Sequence, residues 1–218
     1  MDKKKLKLKK TKFPKPHANI SIQTKIIKAG MLLFRIHYTR YGGVQFNNSI
    51  SGDARFSPIV DRRTKNIIPT IYAGDCKEVA ICEVIFHDVD FTKDKIMYEQ
   101  KNLEDKSHTE IILNGNLQIA VIDQLSVIKM RAGKQLIHCD SAEYDITRSW
   151  AEFIHEQYVD IQGLEWPSRQ YDGKAYVLFG DRIPSTALVV RKTSPLRKDK
   201  IILEKILKIA GVMDITIE

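Results

Sequence analysis

An apolar run interrupted at Arg35 predicts a β-strand from Met31 to His37, ended by the Tyr41-Gly42-Gly43 turn. Residues 38 to 70 are rich in Gly, Asn, Ser, Asp and Pro and predict a long ordered loop, a feature that in a compact domain is more often functional than idle. Pro69 to Ala73 reads as a short strand. A helix follows from Gly74-Asp75, with Asp75 as its cap, Glu78 three residues on as in a capping box, and Val79 to His87 as its body. Charge crowds residues 92 to 110, predicting a surface connection. Asn116 to Ile122 predicts a strand, and Leu125 to Lys129 a second strand or a short helix.

From Asp145 the period is again helical, with Trp150, Phe153, Ile154, Gln157 and Tyr158 on one face and a stop near Asp160 to Gly163. Gly163 to Arg169 reads as a turn-rich segment that carries an isolated hydroxyl, Ser168. Ala175 to Phe179 and Thr186 to Arg191 predict two strands, and Ser194-Pro195 begins a helix through Ile209 capped by Gly211. Strands and helices mixed without regular alternation predict an α+β fold, a compact mixed sheet core with helices.

The chain has 218 residues, 43% of them apolar, enough for one sizeable core. Its net charge of +8 would point to nucleic acid if it were spread over the body. Residues 1 to 16, however, hold eight lysines and one acid, Asp2, for +7, which leaves about +1 for residues 17 to 218. A basic, flexible N-terminal tail over residues 1–24 is therefore expected ahead of one domain over 25–218, with nucleic acid bound at most weakly through the lysines. No apolar run approaches the roughly 20 residues of a membrane span, and no secretory signal opens the chain, so a cytoplasmic protein without membrane contact is expected. Three irregularly spaced cysteines, Cys76, Cys82 and Cys139, suit a reducing compartment.

Two cations, a tyrosine and one carboxylate stand in apolar or turn-forming contexts between Leu33 and His87. Arg35 interrupts the first strand, and Arg55 lies in Gly52-Asp53-Ala54-Arg55-Phe56-Ser57-Pro58. Tyr72 precedes Ala73-Gly74. Glu83 has Val79, Ala80, Phe86 and His87 as its helical neighbours. A carboxylate on an apolar face is rarely buried without a partner or a purpose. Glu83 either makes a structural ion pair with Arg35 or Arg55, or works on a ligand. A guanidinium suits a bidentate grip on phosphate, and either Tyr72 or Tyr38 could pack in the core or stack on a flat ring. There is no Walker loop, no Gly-x-Gly-x-x-Gly and no Gly-x-Ser-x-Gly elbow around Ser168. His37, His87, His138 and Cys139 lack metal-ligand spacing, and no metal is expected.

Taken in order, Phe34-Arg35, Arg55-Phe56-Ser57-Pro58, Tyr72-Ala73, Ala80-Ile81-Cys82-Glu83-Val84 and Pro167-Ser168 resemble the RES domain family, named for an arginine, a glutamate and a serine. The resemblance spans roughly residues 31 to 180; the lysine tail and the insert from Val60 to Ile68 depart from the shortest members. It implies a fold related to the ADP-ribosyltransferase toxins and a toxin that depletes NAD by cleaving the nicotinamide–ribose bond, as glycohydrolase or phosphorylase. NAD is then substrate, with no bound cofactor. Glu83, Arg35 and Ser168 would be catalytic, and Arg35, Arg55, Tyr72, Ser168 and Tyr38 would contact NAD. The partner implied is an Xre-type antitoxin, and homo-oligomers are left open. The competing enzymatic reading is transfer of ADP-ribose to a protein or small molecule. A third reading is a non-catalytic module whose tail engages nucleic acid.

Overall fold

The computed structural model describes residues 13–87, 89–90 and 92–218. Eight strands form one mixed sheet. They are β1 (Gln23–Ile27), β2 (Leu32–Tyr38), β5 (Thr70–Gly74), β7 (Lys106–Leu113), β8 (Leu117–Val121), β9 (Gly163–Pro167), β10 (Lys174–Phe179) and β11 (Leu188–Pro195), in the order β1-β8-β9-β10-β5-β2-β7-β11. All neighbours are antiparallel except β8 and β9. Two short pairs stand apart, β3 (Ile59–Val60) with β4 (Ile67–Ile68) and β6 (Ile96–Tyr98) with β12 (Ile215–Ile217). The helices are α1 (Lys77–Val84), α2 (Lys101–Glu104), α3 (Gln124–Lys129), α4 (Gln135–His138), α5 (Tyr144–Gln157) and α6 (Lys200–Val212). The fold is α+β, as expected.

Alternation along the strands divides the core into two faces. Leu33, Ile71, Ala73, Ile111, Tyr176 and Leu178 share one face, covered by Val44 and Phe46 of the long loop. On the other face Trp166 and Val177 pack with Trp150 and Ile154 of α5, and Ile36 packs with Ile81 of α1 and Ile202 and Ile206 of α6. The junction between β5 and β2 is a single residue pair, Phe34 with Gly74. A Cβ at Gly74 would lie 2.8 Å from Val79 Cγ1 and 2.9 Å from Ala80 N, so glycine is what lets α1 sit down on this junction.

Several expectations need correction. Residues 92 to 110 are not merely a surface connection: β7 is an interior strand between β2 and β11, and Ser107 to Ile111 are buried. Two of its polar residues misled because neighbouring elements satisfy them. Glu110 pairs with Lys77 at 2.9 Å, and Thr109 hydrogen-bonds His37 and Thr193 at 2.8 Å each. Gly163 to Pro167, read as turn-rich, is strand β9; a Cβ at Gly163 would lie 2.5 Å from the Val177 carbonyl oxygen, so the glycine marks a close backbone approach. Ser194 and Pro195 end β11, and α6 starts later, capped by the Asp199 side chain accepting from Ile202 N at 3.3 Å, with Gly211 inside the helix.

Residues 13–24, expected in the tail, pack on the domain. Phe13, Ile20 and Ile22 are buried, and Trp150 Nε1 donates to the Pro14 carbonyl at 2.9 Å, so these residues belong to the domain. Most of the lysine run lies outside the described residues. The insert from Val60 to Ile68 is the β3–β4 hairpin, held on α5 by Val60 N donating to Glu152 Oε1 at 3.1 Å.

Candidate active site

α1 brings Glu83 to the site. Its cap is Cys76 and not Asp75: the Cys76 sulfur accepts from Val79 N at 3.5 Å, because Asp75 N still donates to the Lys174 carbonyl at 2.9 Å and so prolongs the sheet ladder. The helix ends at Val84, short of the expected His87. Glu83 is partly buried near the end of the helix, and Ser168 Oγ donates to its Oε1 at 2.7 Å. The carboxylate thus has a hydroxyl as partner and no ion pair among the described residues.

Ser168 is placed by a tightly tied loop. Ser168 N donates to the Gly173 carbonyl at 3.0 Å, closing the turn between β9 and β10. Gln170 Nε2 donates to the Phe86 carbonyl at 2.9 Å, binding the loop to the end of α1. On its other side, Arg169 Nη1 donates to the Cys139 carbonyl at 2.7 Å.

Tyr72 and Arg55 lie on the same side of the sheet. Tyr72 is partly buried edge-on to Trp166, with ring centroids 5.6 Å apart, and its Oη accepts from Phe56 N at 2.8 Å. That bond attaches the Arg55 segment to β5. Burial drives the Tyr72 hydroxyl pKa far up; the Phe56 N–H opposes the shift, nearby Glu83 adds to it and Arg55 opposes it. Arg55 is 4% exposed. Its Nη1 and Nη2 meet Cys139 Sγ and the Cys139 carbonyl, both at 3.1 Å, and its guanidinium carbon lies 5.1 Å from the Tyr144 ring centroid. Tyr144 Oη in turn lies 3.0 Å from His87 Nε2. Burial also raises the Tyr144 pKa, with Arg55 as the leading opposing influence, so both phenols stay protonated at neutral pH.

The other two expected site residues are employed elsewhere. Arg35 shares its sheet face with Leu33 and His37, opposite the face that Ile36 turns to α1. Its Nη1 donates to the Gly43 and Gln45 carbonyls at 2.9 Å each, and burial lowers its pKa to about 10. Tyr38, 45% exposed at the end of β2, lies beneath Arg40 and Lys106, 5.2 and 4.9 Å from its ring centroid. The structure therefore gathers Glu83, Ser168, Tyr72 and Arg55 on the α1 side and leaves Arg35 and Tyr38 outside that group.

Arg169, Tyr144 and the Cys139 carbonyl were missed from the sequence. Adjacency to Ser168 was the one signal for Arg169; nothing local places Cys139 beside Arg55, 84 residues away. Two surface hollows, of about 580 and 520 Å3, are not lined by Glu83. The first lies around Asp160 and Arg182, and the second abuts the arginines at His138, Cys139 and Asp140. Among the described residues no three His, Cys, Asp or Glu side chains converge as a metal site, and no helix is long and apolar enough to cross a membrane.

The arrangement offers one carboxylate with a hydroxyl against it, two neutral phenols, and guanidinium charge a short distance away. Those are the parts needed to hold a phosphate-bearing ligand and stabilise positive charge developing on it. Comparison with curated proteins gives no match. Among solved structures, a chain of the M. tuberculosis MbcT–MbcA toxin–antitoxin complex has a similar fold, with TM-score 0.59, 16% identity, and coverage of 84% of this chain and 92% of that one. The family model for the RES domain matches residues 32–199, a span running from the start of β2 to the cap of α6 and containing every residue of the site. The chain belongs to the RES domain family.

Proposed function

We propose that this protein is a toxin that consumes NAD by cleaving the bond between nicotinamide and ribose, passing the ADP-ribosyl group to water or phosphate. The observation that carries the proposal is the 2.7 Å hydrogen bond from Ser168 to Glu83, which sets a carboxylate of α1 against the hydroxyl of a tightly tied loop. Nicotinamide in NAD is already a cationic leaving group, so it departs with the bonding electron pair without a general acid. One carboxylate then suffices where an ordinary glycoside needs two. Glu83 stabilises the oxocarbenium-like transition state or orients the acceptor, Ser168 holds a ribose hydroxyl or the amide, Tyr72 packs near nicotinamide, and Arg55 holds phosphate oxygens. Arg35 contributes as a positioning residue, fixing the loop at Gly43 and Gln45 that leads to Arg55.

The similarity to a chain from a toxin–antitoxin complex supports a protein antitoxin as partner, of the Xre type, one that covers the NAD site. The test is to incubate the purified chain with NAD, with and without phosphate, and identify products. Free nicotinamide with ADP-ribose, or with its phosphorylated form, is expected. Label carried onto a protein would assign ADP-ribosyl transfer instead, and intact NAD would end the proposal.

A further inference from the structure

The Cys139 carbonyl oxygen accepts hydrogen bonds from two guanidiniums at once, Arg55 Nη2 at 3.1 Å and Arg169 Nη1 at 2.7 Å. Like charges do not converge on one neutral acceptor without cost. Arg55 is buried, yet among the described residues it has no carboxylate partner; its remaining contacts are the Cys139 sulfur, a weak acceptor, and the face of Tyr144. Arg169 has one carboxylate, Asp140 at 3.2 Å, whose side chain is 85% exposed and so contributes little. Lys134 and His138 line the 520 Å3 hollow that opens beside them, together with the carboxylates Asp140 and Glu143. Burial, followed by the charges of Arg55, Arg169 and Lys134, lowers the His138 pKa.

We infer that Arg55 and Arg169 form a two-guanidinium clamp for the diphosphate of a dinucleotide, with Arg169 a binding residue in its own right. The inference rests on the NAD reading for the ligand, and it also orients that ligand. Arg169 is the neighbour of Ser168, so the diphosphate is held one residue from the Glu83 pair, and the adenosine half extends toward the hollow at His138 and Asp140. Phosphate oxygens replace the Cys139 carbonyl and sulfur as acceptors, exchanging neutral partners for charge-assisted ones.

Calorimetric titration of the full chain with inorganic pyrophosphate, beside NAD-loss kinetics, tests the clamp in R169A, R169K and D140N. R169A should weaken pyrophosphate binding by about tenfold or more and raise KM for NAD, with kcat changed less than about threefold. R169K should recover part of the affinity, since lysine keeps the charge but not the planar fork. D140N, which removes the competing carboxylate, should tighten pyrophosphate binding. Unchanged pyrophosphate affinity in R169A, or a loss confined to kcat, reduces Arg169 to a brace for the Ser168 loop and overturns the clamp. Should R169A melt early, D140N decides, because unchanged affinity there also counts against it. Arg169-dependent pyrophosphate binding without NAD loss would uphold the clamp and sink the NAD reading, whereas NAD loss with a normal R169A does the reverse.

Discussion

Glu83 and Ser168 are 85 residues apart in the chain and 2.7 Å apart in space, and the chemistry proposed depends on that pair. Glu83→Gln keeps size and hydrogen-bonding capacity but removes the charge that faces a developing oxocarbenium ion. A loss of roughly 10²–10³ in kcat is expected, by analogy with removing one preorganised electrostatic group, with an unchanged melting curve. Ser168→Ala should cost less, about tenfold, because it removes one hydrogen bond to a charged carboxylate, worth roughly 1.5 kcal/mol. Single-turnover NAD consumption checks both, and a folded Glu83→Gln chain with wild-type turnover would remove Glu83 from the mechanism. Arg35 makes a contrasting case. Arg35→Met leaves the Gly43 and Gln45 carbonyls without their buried donor, so urea unfolding should show a loss of about 1–3 kcal/mol.

Strand β7 carries the clearest pH sensitivity. His108 is 1% exposed, stacks on Phe34 with centroids 6.1 Å apart, and has no hydrogen-bond partner on either ring nitrogen among the described residues. Burial first, then the Lys77 charge, lowers its pKa to about 4; Asp199 and Glu110 oppose the shift and Lys192 adds to it. The unfolded chain therefore takes up this proton first. Stability is full above about pH 6.5 and falls as pH drops toward 4, by on the order of 3 kcal/mol from this group. Urea midpoints at pH 7 and pH 5 should differ less in His108→Leu than in wild type; an equal difference in the two would place the acid sensitivity elsewhere. The same strand shows where sequence reading ran out. β2, β5, β8, β10 and α5 follow apolar runs or stripes and are visible locally. β7 is hidden because Glu110 and Thr109 are neutralised by partners on α1, β2 and β11, and β9 because Gly163 signals close approach as readily as a turn. Glu83, Ser168, Tyr72 and Arg55 stand out locally, being polar in apolar or turn contexts. Their grouping without Arg35 depends on which face each strand residue takes, and so on the register of the β2–β5 junction, a single pair.

The whole chain separates its charge from its chemistry. Residues 1 to 12 contain seven lysines and Asp2, for +6 of the total +8, and the body that carries the Glu83 site is nearly neutral. What joins the two is Phe13, 5% exposed, and Pro14, whose carbonyl accepts from Trp150 and whose ring lines the hollow beside Arg169. Two truncations should therefore behave differently although they differ by four residues. Removing residues 1–12 deletes most of the basicity and leaves the Phe13 anchor, so the melting temperature should hold and any weak, salt-sensitive affinity for nucleic acid should vanish. Removing residues 1–16 also strips a buried phenylalanine, roughly 1.5–3 kcal/mol, and leaves the Trp150 indole without its acceptor. At about 2–4 °C per kcal/mol for a chain of this length, its melting point should fall by several degrees. NAD consumption at matched fractions folded should survive the shorter truncation. Its disappearance there, with the melting curve intact, would mean that the lysine run takes part in catalysis or substrate capture and is more than a leader attached beside the site.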